Sequence, residues 1–305
     1  MIKATTIQLI TSLLLVIPVG LFAQSTEKSS LHTQPTIFLI GAIHNMHFNQ
    51  GGLYSINDLL FQVQELKPDV VCGEISPEAY NNTMEGYFPP EAAFLAEMST
   101  QLGYRFVPAD WRIDYSTQDL ASKHVPEHTK KRRSELLSTV QAEIKSREGE
   151  SLYDVLHDNI ILNYLDSLYE RIVGVDPLAE ISAGSWNERN RRIAENGLRA
   201  SAQAKTVVFV FGIDHIPQIK SHLEKLGYKV VIPQRMFSPN KNNKVTANVI
   251  NRWQRNLNNL KAISDKKIDA TYDDYLKVTN SNRIKDLEEA IFKGQQQLQP
   301  NIELP

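Results

Sequence analysis

The amino-acid sequence predicts an α/β fold: a mostly parallel sheet with helices on both faces, a long helical insert and further helices at the C-terminal end. Three observations carry that expectation. Apolar, β-prone runs recur at 36–40, 69–75, 104–109 and 206–211. Their lack of polar alternation marks strands covered on both faces. Helical spacing of apolar residues fills the stretches between them, as strand–helix–strand units require. Two of the runs also end alike, in Gly41-Ala42-Ile43-His44 and Gly212-Ile213-Asp214-His215.

The chain opens with Lys3 followed by an apolar block at 9–22 that ends at Ala23. That is the pattern of a secretory leader over 1–23, and it implies an exported protein, periplasmic or secreted. A polar linker follows at 24–35. The α/β domain is expected over 36–235. Its first strand, 36–40, leads to a helix carrying Ile56, Leu59, Leu60, Val63 and Leu66, which Lys67-Pro68 ends. The second strand, 69–75, contains Glu74, and the crossover into it should be right-handed. Residues 76–90, rich in Asn, Pro and aromatics, form a loop that leaves the same sheet edge and is placed to cover a site. A helix at 91–102 and a third strand at 104–109 then lead to Asp110-Trp111-Arg112.

No strand is expected in the insert at about 116–184. The charged run Lys130-Lys131-Arg132-Arg133 reads as a solvated helix face, while Leu152, Leu156, Ile160, Ile161, Leu165 and Leu168 keep the spacing of a buried one. A helix at 186–200 carries Glu188-Arg189-Asn190. The fourth strand, a helix at 218–226 and a short strand at 228–232 complete the domain. Within 236–305, Val245, Val249, Trp253, Leu257 and Leu260 define one amphipathic helix and Ile284, Leu287 and Ile291 another, both packed on the same domain.

Composition narrows the function classes. The chain has 305 residues, 42% hydrophobic and 22% charged, with a formal charge of −2, which is ordinary for a globular protein and gives no basic field for nucleic acid. Beyond the leader no stretch is apolar and long enough to span a bilayer. Cys72 stands alone, so no disulfide forms, and its apolar surroundings make it a small core residue. The chain has neither a Gly-x-Ser-x-Gly elbow nor a glycine-rich phosphate loop, which argues against serine and nucleotide chemistry.

The chemistry-bearing residues fall at strand ends, where open α/β sheets bind ligands. His44, Glu74 and His215 all sit at that edge. Two imidazoles and a carboxylate suit a divalent metal with positions left for water. Such a metal brings its water to a pKa of about 7 and polarises a carbonyl, which permits hydrolysis of a peptide or ester. Glu74 serves equally as ligand or as general base. His47 is a candidate proton shuttle, supporting partner or extra ligand. Asp110 is a candidate for orienting a histidine, and the forked cation of Arg189 for holding an oxyanion or a substrate carboxylate. His124, His128, His157 and His222 carry no assigned role.

In their order, Gly41-x-x-His44, Glu74, Arg189-Asn190 and Gly212-x-x-His215 resemble the motifs of the TIKI/TraB superfamily, distantly related to erythromycin esterases and to ChaN-type haem-uptake proteins. The resemblance covers 36 to about 232. It implies a metal-dependent hydrolase of peptidase or esterase type, with Mn, Co or Zn. His44, Glu74 and His215 would then be metal or catalytic positions, with Arg189 and Asn190 a polar helix pair in the same cleft. The pattern departs at Ala42, where the family often has Thr or Ser, and at Ile213-Asp214, where it favours small residues. Two alternatives follow from the same likeness: a non-catalytic haem- or ligand-binding protein of the ChaN kind, and an inactive scaffold.

Overall fold

In the computed structural model, which describes residues 34–49, 53–240 and 243–296, the sheet has five strands. They are β1 (Thr36–Ala42), β2 (Val70–Gly73), β3 (Arg105–Pro108), β4 (Thr206–Gly212) and β5 (Val230–Val231). All are parallel, in the order β3-β2-β4-β1-β5. The leader read at 1–23 and the linker as far as residue 33 lie outside the described residues.

Alternate strand residues divide cleanly between the faces. Ile40, Val71, Val208 and Val210 belong to one core, with Ile56, Leu59 and Val63 of α1 (Ile56–Glu65) and Phe94 and Leu95 of α2 (Pro90–Leu102). Leu39, Cys72, Val207, Phe209 and Phe211 belong to the other. Both sets are buried, which is why these strands read as unbroken apolar runs. Cys72 is a free, buried thiol, as its apolar setting suggested.

Five helices fill the connection after β3: α3 (Tyr115–His124), α4 (Glu127–Ser146), α5 (Leu152–Leu156), α6 (Asn159–Leu168) and α7 (Pro177–Ser182). A π-helical turn, Tyr169–Val173, follows α6. Next come α8 (Trp186–Ala200) before β4 and α9 (Ile216–Lys225) after it. These two supply Ile193, Ala194, Ile219 and Leu223 to the second face. The last helices are α10 (Ala247–Ser264), α11 (Tyr272–Thr279) and α12 (Arg283–Gln296). They pack on the main body: the buried Trp253 of α10 donates its indole N–H to the Pro90 carbonyl at 3.0 Å, and α12 lies against residues 44–48. Among the described residues, no helix is long and apolar enough to cross a membrane.

Strand order explains which helices lie where. From β1 through β2 to β3 the chain moves one way across the sheet, with α1 and α2 on one face. From β3 through β4 to β5 it moves back, with α8 and α9 on the other. One hand of crossover, used in opposite directions, requires opposite faces. The carboxyl ends of β1, β2 and β4 are therefore where the outgoing chains part, the position at which open α/β sheets bind ligands.

The end of β1 is tied down by a residue without an assigned role. The Gly41 N–H donates to His157 Nε2 at 2.8 Å, and His157 Nδ1 lies 2.8 Å from the Tyr153 carbonyl. Burial pushes the His157 pKa down to about 4, in keeping with a neutral ring that accepts at Nε2. His157→Leu is expected to leave a sheet-edge N–H without its acceptor and to cost about 1–3 kcal/mol. The urea midpoint would register that loss, and an unchanged midpoint would mean the bond adds nothing.

Candidate active site

His44 follows β1, Glu74 follows β2, Asp110 follows β3 and His215 follows β4. The structure brings all four to one rim of the sheet. Glu74, buried, is their common neighbour. His44 Nε2 and His215 Nε2 each lie 4.0 Å from one of its oxygens, Oε2 and Oε1 respectively. That spacing exceeds a direct hydrogen bond and is what one bridging hydroxyl or water spans.

The two glycines of the repeated motif have a common physical reason. β1 and β4 are adjacent, with Gly41 level with Phe211 and Ala42 with Gly212. A Cβ on Gly41 would stand 2.2 Å from Ile213 Cδ1, and one on Gly212 would stand 2.7 Å from His44 Nε2. Each glycine thus makes room for a side chain of the other motif. Gly212 is the seat of the His44 imidazole, and its N–H donates to Glu74 Oε2 at 2.8 Å.

His44 itself has φ 55°, a left-handed conformation rare outside glycine and asparagine. Its side chain is 31% exposed, against 4% for Glu74 and 5% for His215. Nδ1 lies 2.6 Å from Glu91 Oε1, in the first turn of α2, which leaves Nε2 facing Glu74. Burial disfavours the imidazolium, but the carboxylates of Glu91 and Glu74 outweigh it and raise the pKa above the ordinary value.

His215 is set up differently. The amide N–H of Asn190 donates to the Trp186 carbonyl at 2.8 Å, which turns Asn190 Oδ1 toward His215 Nδ1 at 2.7 Å. Nδ1 therefore carries the proton and Nε2 presents a lone pair. Trp186 stacks on this ring with centroids 4.2 Å apart, and Tyr169 stacks on Trp186 at 3.9 Å. Burial, then the Arg189 guanidinium, hold the His215 pKa well below its usual value, so the ring stays neutral.

Beneath the histidines lies a closed ion-pair cluster. Arg189 donates to Asp110 Oδ1 and Oδ2 at 2.8 and 2.9 Å and to Glu74 Oε1 at 3.0 Å. Arg112 donates to Asp110 Oδ2 at 3.0 Å and to Glu74 Oε1 at 3.1 Å. Burial alone would raise the pKa of both acids. For Glu74 the facing cations, His44 when protonated and the Arg189 guanidinium, reverse this and hold it at about 2; for Asp110 the two guanidiniums lower it. Asp110 thus orients the arginines, while His44 and His215 are oriented by Glu91 and Asn190.

His47 does not join the group. It is buried, with Nε2 accepting from the Ile43 N–H at 3.1 Å and Nδ1 3.1 Å from the Tyr54 carbonyl. Both ring nitrogens are spent on the main chain, so it shapes the turn that presents His44 and has none left to shuttle a proton. Burial lowers its pKa to about 4.

Two participants escaped sequence reasoning. Glu91 reads as an ordinary first-turn acid after Pro89-Pro90, and only the packing of α2 on residues 44–48 brings it to His44. Arg112 did carry a signal, standing two residues beyond Asp110 at the same strand end.

The donor set as it stands does not fit a resident divalent metal. Both Glu74 oxygens already accept N–H groups, three in all, and two of the donors are guanidiniums that repel a cation. Orientation of each imidazole through Nδ1 is a habit of metal ligands, but equally of catalytic bases. No protein-family model, no curated protein and no solved structure matches this chain.

Proposed function

We propose that this chain is an exported hydrolase of peptide or ester bonds in which His44 is the general base. The observation that carries this reading is the state of His44: part-exposed, held in a left-handed backbone, fixed through Nδ1 by Glu91 and seated over Gly212. A base needs a partner that fixes its orientation and a free lone pair toward the proton it takes, and Glu91 at Nδ1 leaves Nε2 in that position. The apolar leader at 1–23 supports export to the periplasm or beyond.

The reaction follows from these groups. A water lodged between His44 Nε2 and Glu74 Oε2 gives its proton to Nε2 as its oxygen bonds to the substrate carbonyl carbon. The oxyanion so formed is met by hydrogen-bond donation from the Arg112 guanidinium rather than by net charge, since Glu74 and Asp110 balance both arginines. His44 then returns the proton to the departing nitrogen or oxygen as the scissile bond breaks. His215, neutral and fixed by Asn190, offers a second acceptor beside Glu74 for a substrate donor.

The test is hydrolysis of a panel of peptide amides and carboxylic esters by chelator-treated protein, with His44→Ala alongside. Turnover that survives chelation and is lost in the variant supports the reading. Turnover undiminished in His44→Ala, or none across the panel, overturns it. Activity that vanishes on chelation and returns with Mn, Co or Zn would restore the metal-dependent alternative.

The seat of the imidazole gives a second expected result. Gly212→Ala would drive a methyl against His44 and displace it, lowering kcat/KM by roughly a hundredfold, since small misplacements cost about that much. Stability should change far less, so kinetics and the urea midpoint together separate the two effects. A fully active Gly212→Ala protein would show that the ring's position over Gly212 is unimportant.

A further inference from the structure

Building on the hydrolase reading of the same cleft, we infer that the cavity beside Arg112 is its specificity subsite and takes an uncharged aromatic side chain or acyl group of the substrate. The cavity measures about 410 Å³, within the range of roughly 300–1,000 Å³ usual for small-molecule sites. Its walls include Met84, Tyr87 and Phe88 from the loop after β2, with Trp111 and Arg112 from the end of β3. The charged side chains of Glu78, Asp274 and Lys277 also line it. Arg112 joins cavity to chemistry: its Nη2 lies 3.1 Å from Glu74 Oε1, the oxygen that also faces His215. Arg112 thus both lines the cavity and touches the Glu74 carboxylate, so a substrate held at Glu74 can place a neighbouring group in the cavity.

The wall chemistry sets the preference. The Arg112 guanidinium lies 5.4 and 5.2 Å from the ring centres of Tyr87 and Phe88, and that of Arg192 lies 4.2 Å from Trp111. Rings polarised in this way favour a further ring, edge or face on. The cations on the wall are already paired. Arg112 is bonded to Asp110 and Glu74, and Lys277 has Asp273 and Asp274 at 2.9 and 3.5 Å. An anion entering here would therefore lose water without gaining a counter-charge, and a cation would meet Arg112 and Lys277 as well as the Glu78 carboxylate.

The cavity is also built before any ligand arrives. Buried Glu85, between Met84 and Tyr87, takes a two-pronged bond from Arg252 of α10 at 2.8 and 2.9 Å and another from Asn256 at 2.8 Å. The adjoining Gly86 is so close to α10 that a Cβ would meet Asn256 at 3.0 Å. Binding need not order this wall, which favours affinity.

The test measures binding apart from chemistry. Inactive His44→Ala protein is titrated calorimetrically with N-acetylphenylalaninamide, N-acetylalaninamide and N-acetylglutamic acid amide, and wild-type protein is assayed on the corresponding ethyl esters. Binding of the phenylalanine probe at least about tenfold tighter than the other two is expected, given that a single methylene in an apolar pocket is worth that much. Met84→Trp should abolish the preference by filling the cavity. Met84→Ala should move it toward a naphthyl probe and keeps the test valid should the larger residue prevent folding. Tight, selective binding without ester turnover would uphold the subsite while the hydrolase reading fails. Ester turnover with no discrimination among the three side chains would overturn the subsite and leave the hydrolase reading standing.

Discussion

Glu74→Gln is expected to lower the unfolding free energy by about 3–5 kcal/mol, the cost typical of removing one partner from a buried ion-pair network. The carboxylate is 4% exposed, so water screens little of the effect. Its two oxygens accept from Arg112, Arg189 and the Gly212 N–H. An amide has one oxygen, and its NH2 would face one of those donors. The cluster of Glu74, Asp110, Arg112 and Arg189 would also pass from balanced charge to an excess positive charge in the interior. A drop in the urea midpoint with unchanged slope is the expected reading. Combining Glu74→Gln with Arg189→Met should cost less than the two single losses added, because the second change removes the unpaired cation that the first creates. Strict additivity would mean that the groups do not act as one network.

The same residue fixes part of the acid response. Its folded pKa, about 2, lies below the ordinary carboxyl value of 4.5, so its contribution is fully present above pH 4.5 and is lost as pH falls toward 2. His157 and His47, both depressed from 6.5 to about 4, act in the window above: unfolded chains take up protons there that the folded rings refuse, so stability declines as pH falls from 6.5 to 4. Glu74→Gln should flatten the stability curve below pH 4.5 and leave the decline above it in place.

These residues also show what the sequence could reveal. The strands were legible because burial on both faces leaves no polar alternation, and His44, Glu74 and His215 because each ends such a run. The insertion of β4 between β1 and β2 was not legible, since nothing in an apolar strand names its neighbour. The purpose of the paired glycines appears only once that order is known, because each clears space for the other strand's motif. His47 misled for a related reason: the Ile43 N–H and the Tyr54 carbonyl hold its ring in the core, and one imidazole beside another says nothing of direction. The metal expectation rested on the donor types alone. It could not foresee that Arg112 and Arg189 would take up the carboxylate on which it depended.

His44→Ala is expected to lower kcat/KM by roughly a hundredfold to ten-thousandfold, the usual contribution of a positioned general base. The pH profile distinguishes this from a merely structural loss. The base acts when neutral, so activity should climb as pH rises through the raised pKa of His44. Its stability contribution runs the opposite way: a histidine whose pKa rises on folding stabilises below the unfolded value and loses that contribution as pH passes the folded one. Catalysis is therefore gained in the same window in which the Glu91 ion pair is lost. Glu91→Gln provides the decisive comparison, because after burial Glu91 is the largest influence on His44. Without its charge the imidazolium is less favoured, the pKa falls, and the rising limb should move to lower pH. The plateau should fall as well, since the weaker base is also less firmly oriented. A limb that stays in place in Glu91→Gln would assign the titration to another group, and His44 would lose its role as the proton acceptor.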